Sequence, residues 1–147
     1  MPPRSQRLDP ILKIKQRHQD EVAQQVAARE AALVEQEQRL AALQRYASEY
    51  QLQPIQGGVI NPALLANRLA FQEKVQQAVH QQAQVVERAR QSSEVERARL
   101  MLASREKHVL EKLAASYRAD ETRAADARVQ KELDDIAGRK RGAGVTG

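Results

Sequence analysis

The segment Pro54-Ile-Gln-Gly-Gly-Val-Ile-Asn61 decides the fold. It holds a proline and a diglycine, and long stretches without either residue flank it: Ile11 to Gln53 on one side and Ala63 to Ala137 on the other. Gly and Pro are the strongest interrupters of helices, so their confinement marks the ends of continuous elements. Each stretch opens with a helix-start signal. Asp9-Pro10 and Asn61-Pro62 both offer a side-chain oxygen at the N-cap and a proline at the first helical position. The second stretch closes on Gly138, suited to a left-handed C-cap, with Arg139, Lys140 and Arg141 beside the negative end of the helix dipole. The expected layout is an N-terminal arm over 1–9, a helix over 10–53, a turn over 54–61, a helix over 62–137 and a basic flexible tail over 138–147. The connection is short enough to reverse the chain between two helices.

At about 1.5 Å per residue the helices would be roughly 65 Å and 110 Å long. Helices of that length need a partner along an apolar stripe. In the first, a 3.5-residue spacing from Leu12 meets Lys15, Gln19, Val22, Val26, Arg29, Leu33, Gln36, Leu40, Leu43, Ala47 and Tyr50, most of them apolar. In the second the frame from Leu65 meets Val75, Val79, Val86, Ala89, Leu100, Ala103, Leu110, Ala114, Tyr117 and Ala124. Gln72, Gln82, Ser93 and Glu96 interrupt it. The expected fold is all-α: two long helices forming an antiparallel coiled-coil hairpin, the second longer than the first. If the turn centres on Gly57 and Gly58, paired residue numbers total about 115. Leu40 then faces Val75, Val26 faces Ala89 and Leu12 faces Ala103. The second helix would project past the first from about Leu110, with an apolar stripe through Leu113, Ala114, Tyr117, Ala124, Leu133 and Ile136, unless the first ten residues fold back alongside. Such a stripe either frays or binds something.

Composition agrees with a thin coiled coil. Of 147 residues 24 are Ala, there is one Phe and no Trp. Ala, Glu, Lys, Leu and Arg make up about half the chain, as in long helices. A thick core with a buried catalytic cavity is not expected. Cysteine is absent, which excludes thiolate metal sites and disulfides and fits a reducing compartment. The start, MPPRSQRLDP, has no apolar run of signal-peptide length, and no apolar segment is long enough to span a bilayer. A cytosolic protein, attached to a membrane only through partners, is the expectation.

The net charge of +5 misleads about partners. The first helix carries six positive and six negative side chains, the second thirteen and twelve. The excess lies mainly in Arg139, Lys140 and Arg141. A nucleic-acid groove needs one-signed clustering and usually aromatic platforms; neither is in the pattern. No phosphate loop follows Gly57-Gly58. His18, His80 and His108 lack companions at metal-ligand spacing. Glu94 and Glu96, or Asp134 and Asp135, would sit on a solvated helix face with no desolvated pocket. No catalytic residue, metal or cofactor is expected, and the chain reads as a non-enzyme with interaction surfaces. Four places could carry them. The turn holds Ile55, Val59 and Ile60, which could equally cover the end of the coiled coil. Phe71, Val75, Ala78 and Gln82 share one face, although Val75 and Gln82 are also seam positions. Tyr46 and Tyr50 lie one turn apart, as packing residues or as a site. The last place is the projecting end of the second helix.

Three stretches resemble the FliJ family of the bacterial flagellar export apparatus: RLDPILKI with LAALQRYASEY on the first helix, LAFQEKVQQAVHQQ early on the second, and QKELDDIAGRK from Gln130 to Lys140. The family often shows Gln-Lys-x-x-Asp-Glu in the last stretch, where this chain has Asp135 for Glu. The resemblance implies a coiled coil like the central stalk of rotary ATPases. It implies one end inserted in the hexameric export ATPase, FliI, a contact with the export gate protein FlhA, and a part in recycling export chaperones. By matching sequence it places Phe71, Val75, Ala78 and Gln82 on the gate-binding face, although the family usually has a longer apolar residue for Val75 and can have His for Gln82. The end bearing both termini would enter the ATPase, with Leu12, Lys13, Tyr117 and Lys131 as candidates by position. The implied location is cytoplasmic, peripheral at the inner membrane through the apparatus. Three alternatives stay open: the equivalent stalk of a virulence secretion system, an export chaperone for flagellar subunits, and a structural filament. The filament reading sits badly with Pro54 and Gly57-Gly58, which break the heptads.

Overall fold

A computed structural model describes residues 2–53 and 61–145. They form two helices, α1 (Arg4–Leu52) and α2 (Pro62–Val145), and among the described residues there is no strand. The expected all-α class and the longer second helix are both present. The expected turn, with Ile55, Gly57, Gly58, Val59 and Ile60, lies outside the described residues. The chain divides into two units, Met1–Asp20 with Leu102–Gly147 and Glu21–Met101.

In each unit α1 and α2 pack antiparallel along the heptad seam. In the unit of residues 21–101, Val22, Val26, Ala47, Val75 and Val86 are buried. Arg97 donates to Glu30 at 2.8 Å, and the Gln82 amide donates to Gln36. In the other unit Ala103 and Ala114 are buried. There Lys15 donates to Glu106 at 3.1 Å, and Gln19 donates to the Ser104 hydroxyl at 3.1 Å. Among the described residues the buried apolar side chains are all Val or Ala. Burying each Val fully is worth roughly 1.5–2 kcal/mol and each Ala less. The seam is thin, and register rests heavily on its polar pairs.

The pairing differs from the expected register. Partners such as Gln36 and Gln82, Lys15 and Glu106, or Glu30 and Arg97 have residue numbers totalling about 120 or a little more, not about 115. The reason lies at the start of α2. Residues 61–67 are all exposed, and α2 is first withdrawn from solvent at Arg68, so several residues pass before the seam begins. Leu65 is correspondingly outside the seam. Arg29 is exposed as well, and the neighbouring Glu30 takes the half-buried position in its place.

Both helices are longer than the sequence signals imply. The Asn61-Pro62 start of α2 stands: the Ala63 N–H donates to Asn61 Oδ1 at 3.0 Å. The Asp9-Pro10 start of α1 does not. The helix begins at Arg4 and carries Pro10 inside it, so the expected arm is helical from its fourth residue. Ser5 and Leu8 continue the heptad of Leu12 at spacings of three and four, and Ser5 is buried. Contact with α2 thus outweighs the backbone bond that Pro10 cannot make. At the other end α2 runs through Gly138 to Val145. Glycine in a helix costs about 1 kcal/mol relative to alanine, and Ala137, Arg139, Lys140 and Arg141 around it are good helix formers. The exposed part of α2 consequently starts beyond Glu121, not at Leu110. Ala114 is buried and Tyr117 half-buried, whereas residues 122–142 are all exposed.

Candidate functional site

In the unit of residues 21–101, α1 and α2 bring three aromatic rings together. Tyr46 and Tyr50 lie one turn apart on α1 with ring centroids 6.4 Å apart. Phe71 of α2 meets Tyr50 edge-on at 4.8 Å and Tyr46 at 6.5 Å. The Arg68 guanidinium lies 5.6 Å from the Tyr50 ring centroid. It also donates to the Tyr50 carbonyl at 3.2 Å and to the Gln53 carbonyl. These are end carbonyls of α1, which has no basic residue in its own last turn, so α2 supplies the cation that the helix dipole favours there. The cluster is open to solvent: Tyr46 and Phe71 are 48% and 41% exposed. Exposed aromatic rings held rigid by neighbours are suited to gripping a partner, because little side-chain freedom remains to be lost.

The four expected gate-face residues divide between surface and seam. Phe71 is exposed and Ala78 half-buried. Val75 is buried at 8% exposure and belongs to the seam. Gln82 is half-buried, and its Nε2 donates to the Gln36 carbonyl at 3.1 Å and to Gln36 Oε1 at 2.8 Å. The structure therefore couples Phe71 to Tyr46 and Tyr50, while Val75 and Gln82 hold α1 against α2 beneath it. The two tyrosines and Phe71 are separate candidates in the sequence; the observed register, in which 50 and 71 are neighbours, joins them. Arg68 carries no signal in the sequence that would single it out.

In the unit containing both termini, Leu12 and Lys13 line a shallow groove of about 340 Å³ with Asp9, Gln16, Lys107 and Glu111. Tyr117 lines another, about 350 Å³, with Pro2, Pro3, Arg4, Arg7, Asp120, Glu121 and Ala124. The Arg4 guanidinium sits 5.7 Å from the Tyr117 ring centroid. Lys131 lies on the exposed part of α2, in neither groove. Glu121 accepts the Ser5 backbone N–H on Oε1 at 3.1 Å and the Ser5 hydroxyl on Oε2 at 2.6 Å. The Ser5 hydroxyl, then its backbone N–H, hold the Glu121 carboxyl below the ordinary glutamate range, with Arg118 adding a smaller pull. Since α1 has no acidic residue in its own first turn, Glu121 caps it from the other helix.

Among the described residues no group of three or more His, Asp or Glu side chains is placed to hold a metal. Among the described residues no helix is long and apolar enough to cross a membrane. The sequence matches the family model described as flagellar FliJ protein over residues 4–143. The chain belongs to the FliJ family. FliJ proteins are components of the flagellar export machinery. The matched span begins where α1 begins and takes in nearly all of α2, including the exposed segment beyond Glu121. Comparison with curated proteins and with solved structures found no match.

Proposed function

We propose that this FliJ chain is a non-enzymatic, central-stalk-like coupling protein of the flagellar export apparatus. One end, bearing both termini, inserts into the hexameric export ATPase, FliI. The aromatic face binds the export gate protein, FlhA. A role in recycling export chaperones belongs to the same reading, as does a location at the cytoplasmic face of the inner membrane through these partners. The observation that carries it is the family match across both helices. The antiparallel packing of α1 on α2 supports it, since a two-helix cross-section can enter the opening of a ring.

For the gate, the face is Phe71 with Tyr46, Tyr50 and the exposed edge of Ala78; Val75 and Gln82 act through the seam. For the ATPase, Leu12, Lys13, Tyr117 and Lys131 are the candidates, the first three lining grooves in the unit with the termini. A flagellar rather than a virulence family model favours the flagellar ATPase as partner. The test is direct. Added to its cognate ATPase, the purified chain raises ATP hydrolysis and the population of hexamer. Hydrolysis and assembly both unchanged at saturating chain would refute the stalk role.

A further inference from the structure

We propose that residues 4–9 form a detachable strap, hinged at Pro10 and held shut on α2 by Glu121, whose opening uncovers the α2 face from Ala114 to Glu121. The hinge follows from the covalent chemistry of proline. Pro10 lies inside α1 and has no N–H, so the carbonyl of Gln6 receives no bond from the next turn. The strap is joined to the rest of α1 by a helix ladder with one rung missing. At its far end the Arg7 N–H donates to the Pro3 carbonyl at 3.2 Å, and proline offers no side-chain cap.

What holds the strap comes from the other helix. Ser5 gives both its N–H and its hydroxyl to the Glu121 carboxylate, and Arg4 lies over Tyr117. Ser5 and Leu8 are the strap residues withdrawn from solvent. On α2 the contacted positions Tyr117 and Glu121 are half-buried, and Ala114, one turn before Tyr117, is fully buried. A carboxylate accepting two hydrogen bonds from one residue is a strong point contact, but it is a single contact. Removing it leaves a segment of under two turns with an interrupted ladder, too short to stay helical alone. The charged groups around Glu121 are Arg118 and Asp120 on α2 and Arg4 and Arg7 on α1; the arginines outnumber the acid and favour the ionised, latched form.

The strap stands independently of which partner the chain serves. Hydrogen exchange of the full-length protein tests it, with the wild type compared to Glu121→Ala and Pro10→Ala. In Glu121→Ala, amides from Ser5 to Asp9 exchange on the order of tenfold faster, the factor expected for one charge-assisted latch. Those of Leu12 to Gln19, and of Val22 and Val26 in the other unit, are unchanged. In Pro10→Ala the restored rung slows the strap amides. Nitration of Tyr117 by tetranitromethane, with Tyr46 as internal reference, becomes several-fold faster in Glu121→Ala. Strap amides indifferent to Glu121→Ala would overturn the proposal. So would equal acceleration from Ser5 through Gln19, which would make the segment an ordinary part of α1.

Discussion

Phe71→Ala separates the packing of the ring from the gate contact proposed for it. Complete burial of a Phe side chain makes its truncation to Ala cost about 3–5 kcal/mol. Phe71 is 41% exposed, so roughly 60% of that applies, or about 2–3 kcal/mol. Part of it is the edge-on contact with Tyr50 at 4.8 Å, worth about 1 kcal/mol. Urea denaturation followed by far-UV circular dichroism reads the total, and a double-mutant cycle with Tyr50→Ala isolates the ring–ring share. Because α1 and α2 keep their other seam contacts, helicity in the absence of urea stays close to wild type. Binding to the cytoplasmic part of the gate protein, measured by titration calorimetry under the same conditions, weakens at least tenfold, about 1.4 kcal/mol. Phe71→Leu restores most of the stability without restoring the affinity, since it keeps the apolar volume and loses the ring. Collapse of helicity in Phe71→Ala would show the ring to be core. Intact fold with unchanged gate affinity would remove Phe71 from the contact.

Other perturbations have definite signs. Ser93→Ala leaves stability unchanged or raises it by about 1 kcal/mol in urea melts, because the hydroxyl is buried without a hydrogen-bond partner and alanine is the better helix former. Val26→Ala, at 8% exposure, lowers stability by about 1–2 kcal/mol in the same assay. Arg68→Ala removes the cation at the end of α1 and speeds amide exchange at Gln51 to Gln53 several-fold, with little effect near Val22. The Glu121 carboxyl is held below its ordinary value by Ser5, so the stabilisation it provides is complete at neutral pH. It is lost as pH falls from the ordinary glutamate range through the lowered value. Acid titration therefore lowers the protection of Ser5 to Asp9, taken relative to intrinsic amide exchange at each pH, in the wild type and leaves Glu121→Ala without that step.

The heptads made most of the fold legible because they report a long-range fact, the existence of a partner helix, in a local spacing. Val22, Val26, Ala47, Val75, Val86, Ala103 and Ala114 are all seam positions in that frame, and all are buried. The helix ends were less legible. Asp9-Pro10 and Gly138 carry the local chemistry of a start and a stop, and tertiary context overrides the first: Ser5 and Leu8 stay in the heptad phase of Leu12, and Glu121 supplies the missing cap. That phase is present in the sequence, beside a proline whose local signal is the stronger one. Register was beyond reach for a different reason. A 3.5-residue spacing fixes which face of each helix points inward but not how far one helix slides along the other. That offset depends on how many residues α2 spends before Arg68.

The same offset governs what could be known of the site. Sequence placed Phe71, Val75, Ala78 and Gln82 on one face but could not say which of them the opposing helix would cover. Once Gln36 lies against Gln82, the amide is occupied. Val75 is enclosed, and the proposed contact surface shifts toward Tyr46 and Tyr50. A slip of one heptad would set Gln36 against Val75 or Ala89 in place of Gln82, and would part Phe71 from Tyr50. An apolar seam of Val and Ala tolerates such a slip at little energetic cost, whereas the part-buried amides of Gln36 and Gln82 do not. In the unit of residues 21–101 the polar seam is thus a condition for the aromatic face. Residues that weaken the coiled coil as a store of stability are those that keep three rings from two helices in one place.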